Sequence, residues 1–344
     1  MPRIFGVQDM LIKTRSYARA GLLGNPSDGF FGKTISFTMS NFVADLELWE
    51  SPEIHFVTGA VEDLRFDSLD NLLTEIGLYG YYGGIRLLKA TTKVFVTWCR
   101  ENGVELPNRN FTVRYLSTVP RLVGMGGSSA LCTAMFRALM KFYEIDVPMQ
   151  IIPTLCLRAE TEELTIQAGL QDRVIQVYNG VMFMDFDEQL IKSRQYGDYK
   201  RIDKASMPNV YVAYDRVQAE VSGKYHGDLH SRFDRGDSAV IDAMHEFSDI
   251  AQRGYECLTQ GRPHELSALV DQNFDVRERI SGNGISPANR NMVSVARDAG
   301  ASAKFAGSGG TIVGTYKDDT ALQVLRERLE AINCEVVVPE IPDV

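Results

Sequence analysis

The chain has 344 residues, which is enough for two domains of ordinary size. It is 44% hydrophobic and 24% charged, so it can build proper cores and is not disordered overall. The formal net charge of −9 argues against nucleic acid or an anionic membrane as the main partner. Five scattered cysteines without a CxxC pair argue against structural zinc and a disulfide framework. Without a transmembrane-length apolar run or a signal-peptide pattern, a soluble cytoplasmic protein is predicted.

The first patterned segment predicts two strands joined by a turn. Residues 18–23 are typical of a short buried strand, residues 24–29 form a turn cluster, and residues 35–39 alternate as in a second strand. Arg19 is a charge inside the first strand. It is either a solvent-facing edge residue or a guanidinium aimed at phosphate or carboxylate. Asp28 is either an Asx-turn residue or an acceptor for sugar hydroxyl groups.

A tyrosine–glycine cluster follows at residues 79–84. It can stack on a ring ligand, although a tight packing turn is the more ordinary interpretation. A helix is predicted directly after it, over residues 87–99.

The stretch Gly124–Ala130 (GMGGSSA) is a glycine-rich loop that opens a helix. The strand pattern of residues 111–115 precedes it, and apolar residues recur at helical spacing over residues 131–142. Glycine N–H groups and a helix N-terminus together favour phosphate binding. An ordinary turn with a serine N-cap explains the loop equally well. The loop is neither a Walker loop, since no lysine follows the glycines, nor a GxGxxG dinucleotide fingerprint.

Two acidic residues accompany the next predicted helix, over residues 153–167. Glu160 lies on that helix, and Asp172 follows it beside Arg173. A carboxylate near a helix end and an arginine is a plausible base or metal ligand. Taken alone, such a pair is more often a surface salt bridge.

The second half predicts helices over a small sheet, which is an α+β arrangement. Residues 185–208 are polar and mark a boundary, and residues 222–237 are interpreted as an exposed loop or lid. A second glycine-rich loop occupies residues 304–310. Strands are predicted over residues 210–214, 311–316 and 334–338, and helices over residues 238–257, 263–280, 287–299 and 321–332.

Three stretches taken together carry a family resemblance: ARAGLLGNPSD at residues 18–28, GMGGSSA at 124–130 and KFAGSGG at 304–310. They resemble, in order and at similar spacing, the three motifs of the GHMP small-molecule kinases. The resemblance implies an α+β fold. Its N-terminal, ribosomal protein S5 domain 2-like α/β domain would occupy residues 1–205, and its ferredoxin-like α+β domain residues 206–344.

The resemblance also implies site residues, with ATP and Mg²⁺ as cofactors. Asp172 would be the catalytic aspartate and Arg19 its basic partner. Ser129 and Glu160 would bind Mg²⁺, with Glu163 as the fallback for Glu160. The residues implied to wrap the ATP phosphates are Gly124, Gly126, Gly127, Ser128, Ser129 and Ala130. The residues implied to contact the substrate are Asp28, Arg173, Gly307, Ser308, Gly309 and Gly310.

The longer stretches at residues 19–42, 80–88 and 168–174 resemble family members that phosphorylate glucuronate at its anomeric hydroxyl. The resemblance thus implies a sugar and ATP as small-molecule partners, with Arg86, Arg173 and Arg232 as candidates for binding a uronic acid carboxylate. Three alternatives stay open: a kinase for another sugar, a non-catalytic sugar- or nucleotide-binding regulator, and a structural protein without a ligand. The sequence leaves the oligomeric state open.

Overall fold

The structure is a computed structural model that describes residues 11–57, 63–217 and 223–344. Its first sheet is organised by a long antiparallel pair of strands, β1 (Ile12–Leu23) and β2 (Lys33–Ser51). Pairing runs from Ile12 opposite Leu48 to Leu23 opposite Ile35, with a register shift between Tyr17 and Ala18. Up to this shift β1 alternates between exposed and buried side chains, and beyond it every residue is buried. The second half of β1 is therefore covered on both faces.

Seven strands complete this first sheet within the described ranges. Strand β2 pairs along one edge with β1. Its two halves pair along the other edge with β6 and β5. The remaining strands are β3 (Ile54–Val57), β4 (Asp63–Phe66), β5 (Asn110–Ser117), β6 (Val181–Asp185) and β7 (Asp198–Ile202).

Helices cover one face of this sheet, and α3 (Gly127–Tyr143) is central among them because it packs on β1, β2 and α2. Aromatic rings fill the layer between them: Phe95 lies edge-on to Phe136, with ring centroids 5.4 Å apart. The other helices of this half are α1 (Leu69–Tyr79), α2 (Arg86–Glu101), α4 (Ile152–Thr161), α5 (Gln171–Tyr178) and α6 (Glu188–Arg194).

The second sheet is antiparallel and has the order β11-β8-β10-β9. Numbered within the sheet, this is the order 4-1-3-2 of a ferredoxin-like split βαβ unit. Its strands are β8 (Val210–Asp215), β9 (Lys304–Phe305), β10 (Thr311–Thr315) and β11 (Cys334–Val337). Its helices are α7 (Gly223–Asp234), α8 (Ser238–Thr259), α9 (Leu266–Ser281), α10 (Pro287–Asp298) and α11 (Asp319–Glu330).

One hydrophobic cluster joins the two halves, because helices α8 and α9 pack against strand β1 as well as against each other. Its members include Phe37 of the first sheet, Val212 of the second and Phe247 of α8. The predicted boundary between residues 205 and 206 falls in the connection between β7 and β8. The division into two domains stays a prediction, and residues 1–10 of the first lie outside the described residues.

Two sequence-based assignments were wrong, and two elements of a polar segment were not predicted. The predicted helix 153–167 ends at Thr161, and Thr165 has a positive φ of 54° that a helix does not allow. Residues 222–237 are not a loop: α7 begins at Gly223, and Leu229 is buried. Ser222 lies outside the described residues. The polar segment 185–208 contains α6 and β7, whose mostly exposed residues carry too weak an apolar pattern to be recognised.

The first prediction concerns a glycine in the middle of the second sheet. A Cβ added to Gly314 would lie 1.7 Å from the Ser302 carbonyl oxygen, so Gly314→Ala should lower the free energy of unfolding by about 1–3 kcal/mol. The control is Gly77→Ala on the exposed side of α1, where nothing lies within 4 Å. In this variant the higher helix propensity of alanine should raise the free energy of unfolding by as much as about 1 kcal/mol. Urea denaturation measures both; equal stabilities would contradict the packing described for β10.

Candidate active site

A cleft of about 1310 Å³ lies between the two halves of the molecule. Five segments line it: the turn after β1, the start of α2, the loop before α3, the connection from α4 to α5, and the second glycine-rich loop. Most residues that the three motifs singled out therefore meet at one place, although Arg19 and Ser308 are 289 positions apart in the sequence. The larger part of the cleft wall belongs to the first half of the chain.

Arg19 is the point at which these segments join. Its side chain is only 5% exposed, which excludes the solvent-facing interpretation. Its Nε and Nη2 donate to the two carboxylate oxygens of Asp172, each at 2.6 Å. Its Nη1 donates to the carbonyls of Gly124 and Ala306, and its backbone N–H donates to the Met125 carbonyl. One side chain thus connects the first strand, both glycine-rich loops and the start of α5.

The first glycine-rich loop adopts the backbone that its glycines predict. Gly124 and Gly126 have positive φ angles of 76° and 73°, and α3 begins at Gly127. The Gly126 carbonyl accepts from the backbone N–H of Ala130, from the Ser129 hydroxyl and from Gln176 Nε2. Gly124, Gly126, Gly127 and Ser128 line the cleft, whereas Ser129 and Ala130 are fully buried behind it.

Glu160 and Arg173 form a buried ion pair beneath the cleft. Glu160 is fully buried and Arg173 is 3% exposed. Arg173 Nε donates to Glu160 Oε2 at 2.8 Å and Nη2 donates to the same oxygen, while Nη1 donates to the Gly169 carbonyl. Glu160 Oε1 has no hydrogen-bond partner among the described residues. Arg173 also lies 3.8 Å from Asp172, so it links the two acids.

These residues fit a Mg²⁺ ion in part. A buried carboxylate oxygen without a partner, on a side chain that lines the cleft, is a suitable ligand for a hard cation. Ser129, the other predicted ligand, donates its hydroxyl to Gly126 O at 3.0 Å and would have to rotate to reach the cleft. Among the residues that the structure describes, no three His, Cys, Asp or Glu side chains form a cation-binding cluster.

Asp28 lies in the turn between β1 and β2, against the start of α5. Its Oδ2 accepts from the backbone N–H of Gln171 at 3.3 Å. A Cβ on Gly169 would lie 2.0 Å from the same oxygen, so a glycine is needed there. Burial and the nearby Asp172 carboxylate raise the pKa of Asp28 to about 7.

The second glycine-rich loop closes against the first. A Cβ on Gly307 would lie 2.4 Å from the Gly124 carbonyl oxygen, so the two loops are in direct backbone contact. Gly307 and Ser308 line the cleft. Gly309 and Gly310 have positive φ angles of 151° and 75°, and Gly310 donates its N–H to Asn289 Oδ1 at 2.8 Å.

The structure separates the three arginines considered for a carboxylate. Arg86 lines the cleft at the start of α2 and forms no ion pair within the described ranges. Arg173 also lines the cleft, but its charge is engaged by Glu160. Arg232 is absent from the cleft lining and donates to Asp237 and to the Ile280 carbonyl.

Glu163, the fallback metal ligand, has a different role. Its carboxylate accepts from the Tyr81 hydroxyl at 2.7 Å and from Lys93 Nζ at 2.6 Å. Tyr82 lies over the buried Lys89, whose Nζ is 4.2 Å from the ring centroid. Contacts to Glu163 and Lys89 hold Tyr81 and Tyr82, but the cluster is not closely packed, since Tyr79 is 71% exposed and a Cβ on Gly80 would meet nothing within 4 Å. Gly83 and Gly84 line the cleft.

Several residues around the cleft were missed by sequence reasoning. Gln176 bridges the Tyr17 and Gly126 carbonyls, and His230 stacks on Phe30 with ring centroids 4.4 Å apart. Arg277 binds the second glycine-rich loop from helix α9. None of them follows a local motif, since each acts on a segment distant in sequence.

The comparisons with known proteins agree with this geometry. Residues 87–180 match the GHMP kinases N terminal domain. The chain is 41% identical over 317 residues to "Probable glucuronokinase 2" of Arabidopsis thaliana, which covers 91% of this chain and 86% of the relative. It is 40% identical over 306 residues to "Glucuronokinase 1" of the same plant, covering 88% and 84%. No helix in the described part of the chain is long and apolar enough to cross a membrane.

Solved structures confirm the predicted α+β fold. Lactococcus lactis galactokinase, solved with galactose, superposes with a TM-score of 0.76 at 14% identity, covering 98% of this chain and 95% of that one. This likeness covers nearly the whole chain and therefore both sheets of the fold. From the sequence relatives, the matched domain and the shared fold together, we conclude that the chain belongs to the GHMP kinase family.

Proposed function

We propose that this protein transfers the γ-phosphoryl group of ATP to the anomeric hydroxyl of glucuronate, giving glucuronate 1-phosphate. The substrate is taken from the two plant glucuronokinases, which the chain matches over more than four fifths of their length. The single structural observation that carries the proposal is the bidentate Arg19–Asp172 pair, which lies where both glycine-rich loops meet the cleft.

The nucleotide phosphates would bind at the loop before α3. Gly124, Gly126, Gly127 and Ser128 line the cleft there, and the first turn of α3 has no acidic residue to compete with an anion. Backbone N–H groups at the start of a 17-residue helix favour negative charge through their partial positive charge. ATP is the phosphate donor used across GHMP kinases.

For the metal, Glu160 Oε1 is the protein oxygen that best fits Mg²⁺, with a hydroxyl of Ser129 as the second ligand. When bound, Mg²⁺ supplies positive charge against the β- and γ-phosphates. Arg173 directs both donated hydrogen bonds to Oε2 and so leaves Oε1 for this use. The buried ion pair therefore orients the carboxylate as well as neutralising it.

Asp172 would accept a hydrogen bond from the anomeric hydroxyl and receive its proton as the bond to phosphorus forms and the bond to the leaving ADP oxygen breaks. A carboxylate paired with a guanidinium is a weak base. Phosphoryl transfer passes through a loose transition state in which little proton abstraction is needed beforehand. Asp172 thus acts mainly by positioning the hydroxyl, and Arg19 fixes the carboxylate in that orientation.

Sugar recognition would fall to Asp28, Arg173 and Ser308 in the cleft wall, with Arg86 as the partner of the uronate carboxylate. Of the arginines considered, only Arg86 combines a place in that wall with a charge not already engaged by an acid in the described ranges. Because the Arg86 side chain is exposed, its hydrogen bond to the uronate carboxylate would contribute about 1.5–3 kcal/mol to binding. This is less than the free-energy penalty of leaving a buried charge unpaired.

The second prediction is substrate choice. In competition at equal concentration with ATP, glucuronate should exceed glucose in kcat/KM by about 10- to 150-fold, and Arg86→Gln should remove most of that preference. Galacturonate differs from glucuronate only at the C4 hydroxyl, so the preference for glucuronate over it in kcat/KM should be smaller. Phosphorus NMR locates the product phosphate, expected at C1. A preferred neutral hexose would contradict the substrate, and no phosphorylated sugar would favour the binding-protein alternative.

The third prediction concerns Asp172. Asp172→Asn keeps the size of the side chain but removes its charge, so kcat should fall about 10²–10⁴-fold while ATP still binds. Asp45→Asn is the matched control, since Asp45 makes the same bidentate contact with Arg15 outside the cleft. Steady-state kinetics and ATP titration compare the two variants. A near-normal kcat in Asp172→Asn would remove this residue from the mechanism.

The fourth prediction is a pH dependence of stability that comes from Asp28. Its pKa is about 7 in the folded protein against an ordinary 3.8, so the folded state binds more protons between these values. Stability contributed by this residue therefore falls as the pH rises from about 4 to 7 and is constant above. The side chain at position 28 in Asp28→Asn does not titrate. The melting temperature of this variant minus that of wild type should therefore rise as the pH goes from about 4 to 7. A constant difference from pH 4 to 8 would contradict the raised pKa.

A further inference from the structure

Two buried basic side chains hold carbonyl groups of the second glycine-rich loop. Arg277 of α9 is 4% exposed, and its Nη1 and Nη2 donate to the carbonyls of Gly307 and Ser308 at 2.9 and 2.7 Å. Lys304 is 1% exposed, and its Nζ donates to the Phe305 carbonyl at 2.8 Å. Neither side chain lines the cleft, so both lie behind the loop.

This arrangement fixes the direction of the loop's N–H groups. In a trans peptide the C=O of one residue and the N–H of the next point in opposite directions. The N–H groups of Ser308 and Gly309 therefore point away from Arg277. Neither N–H has a hydrogen-bond acceptor among the described residues. Two successive unpaired N–H groups form a concave site for an anion.

The rigidity of Arg277 follows from its surroundings. Its guanidinium lies over the Phe305 ring, 4.7 Å from the centroid, so the two carbonyls are held by a group that is itself packed in place. Lys304 adds a second fixed donor, because its Nζ also donates to the Gly21 carbonyl at 2.7 Å and to Asn25 Oδ1. The loop is thus clamped from helix α9 and from strand β1.

We propose that Arg277 is a positioning residue that turns the N–H groups of Ser308 and Gly309 toward an oxyanion in the cleft. This inference rests on the proposed function, which supplies two such oxyanions: the uronate carboxylate and the transferring phosphoryl group. Both accept hydrogen bonds from backbone N–H groups in the same way. Arg277 touches neither of them and acts only through the loop.

The test compares Arg277→Lys with wild type. Lysine keeps the positive charge but cannot donate in a fixed fork to two carbonyls, so the loop loses one of its constraints. We expect kcat/KM to fall at least about tenfold, short of the 10²–10³ that follows removal of an oxyanion-hole donor. The melting temperature should fall no further than it does in the control variant. Arg297→Lys is the matched control: Arg297 lies over Phe274 and donates to the Asp271 carbonyl, away from the cleft.

Calorimetric titration of glucuronate and of ATP with Mg²⁺ separates the two sources of the oxyanion. Weaker glucuronate binding in Arg277→Lys assigns the N–H groups to the carboxylate. A fall in kcat or in ATP affinity assigns them to the phosphoryl group. Unchanged kinetics and unchanged binding of both ligands in a folded Arg277→Lys protein would overturn the inference.

A second variant covers the case in which Arg277→Lys does not fold. Ser308→Pro removes one of the two N–H donors without altering Arg277, and it should produce the same loss. If Ser308→Pro is fully active, the inference fails. Failure of the proposed function is recognised separately, since in that case wild-type protein transfers no phosphate from ATP to glucuronate.

Discussion

The structure of the cleft depends on the burial of one guanidinium group. Arg19 lies inside a strand that is covered on both faces, so its charge must be met by protein groups rather than by water. Asp172 neutralises it, and the carbonyls of Gly124 and Ala306 accept its remaining N–H groups. Since these partners come from three distant segments, satisfying one charge brings together the elements of the site.

This constraint gives the glycines of the motifs a second physical reason besides approach to phosphate. A Cβ on Gly126 would lie 3.0 Å from Arg19 Cγ, and one on Gly307 would lie 3.1 Å from Arg19 Nη1. The loops must pass so close to the guanidinium that a side chain at either position would displace it. Glycine at these places therefore serves the packing around Arg19 whether or not a nucleotide is bound.

The elements that the sequence predicts well are those whose signal is local. The strand before the glycine-rich loop lies within two residues of its predicted bounds at both ends. The helix after the loop ends one residue beyond its apolar pattern and begins at Gly127, four residues before that pattern. Helix α7 was missed because its segment is mostly polar and has few apolar residues. Two of them, Leu229 and Phe233, lie one turn apart. Arg277 was missed for another reason: it lies 30 positions from the loop carbonyl that it binds, and only the packing of α9 brings them together.

The charges of the site explain why a chain with a net charge of −9 is suited to two anionic substrates. Arg19, Arg173 and Arg277 are all buried at or behind the cleft, and each donates to neutral carbonyls. Burial lowers the pKa of Lys304 well below its usual range, so this residue is not counted among the charges. The acids at the cleft are Asp28, Asp172 and Glu160. Because burial and Asp172 raise the pKa of Asp28 to about 7, much of its population is protonated near neutral pH, and the three guanidinium groups outnumber the carboxylates there. The surplus of positive charge, fixed by backbone carbonyls rather than by acids, leaves the cleft able to accept phosphate and carboxylate together.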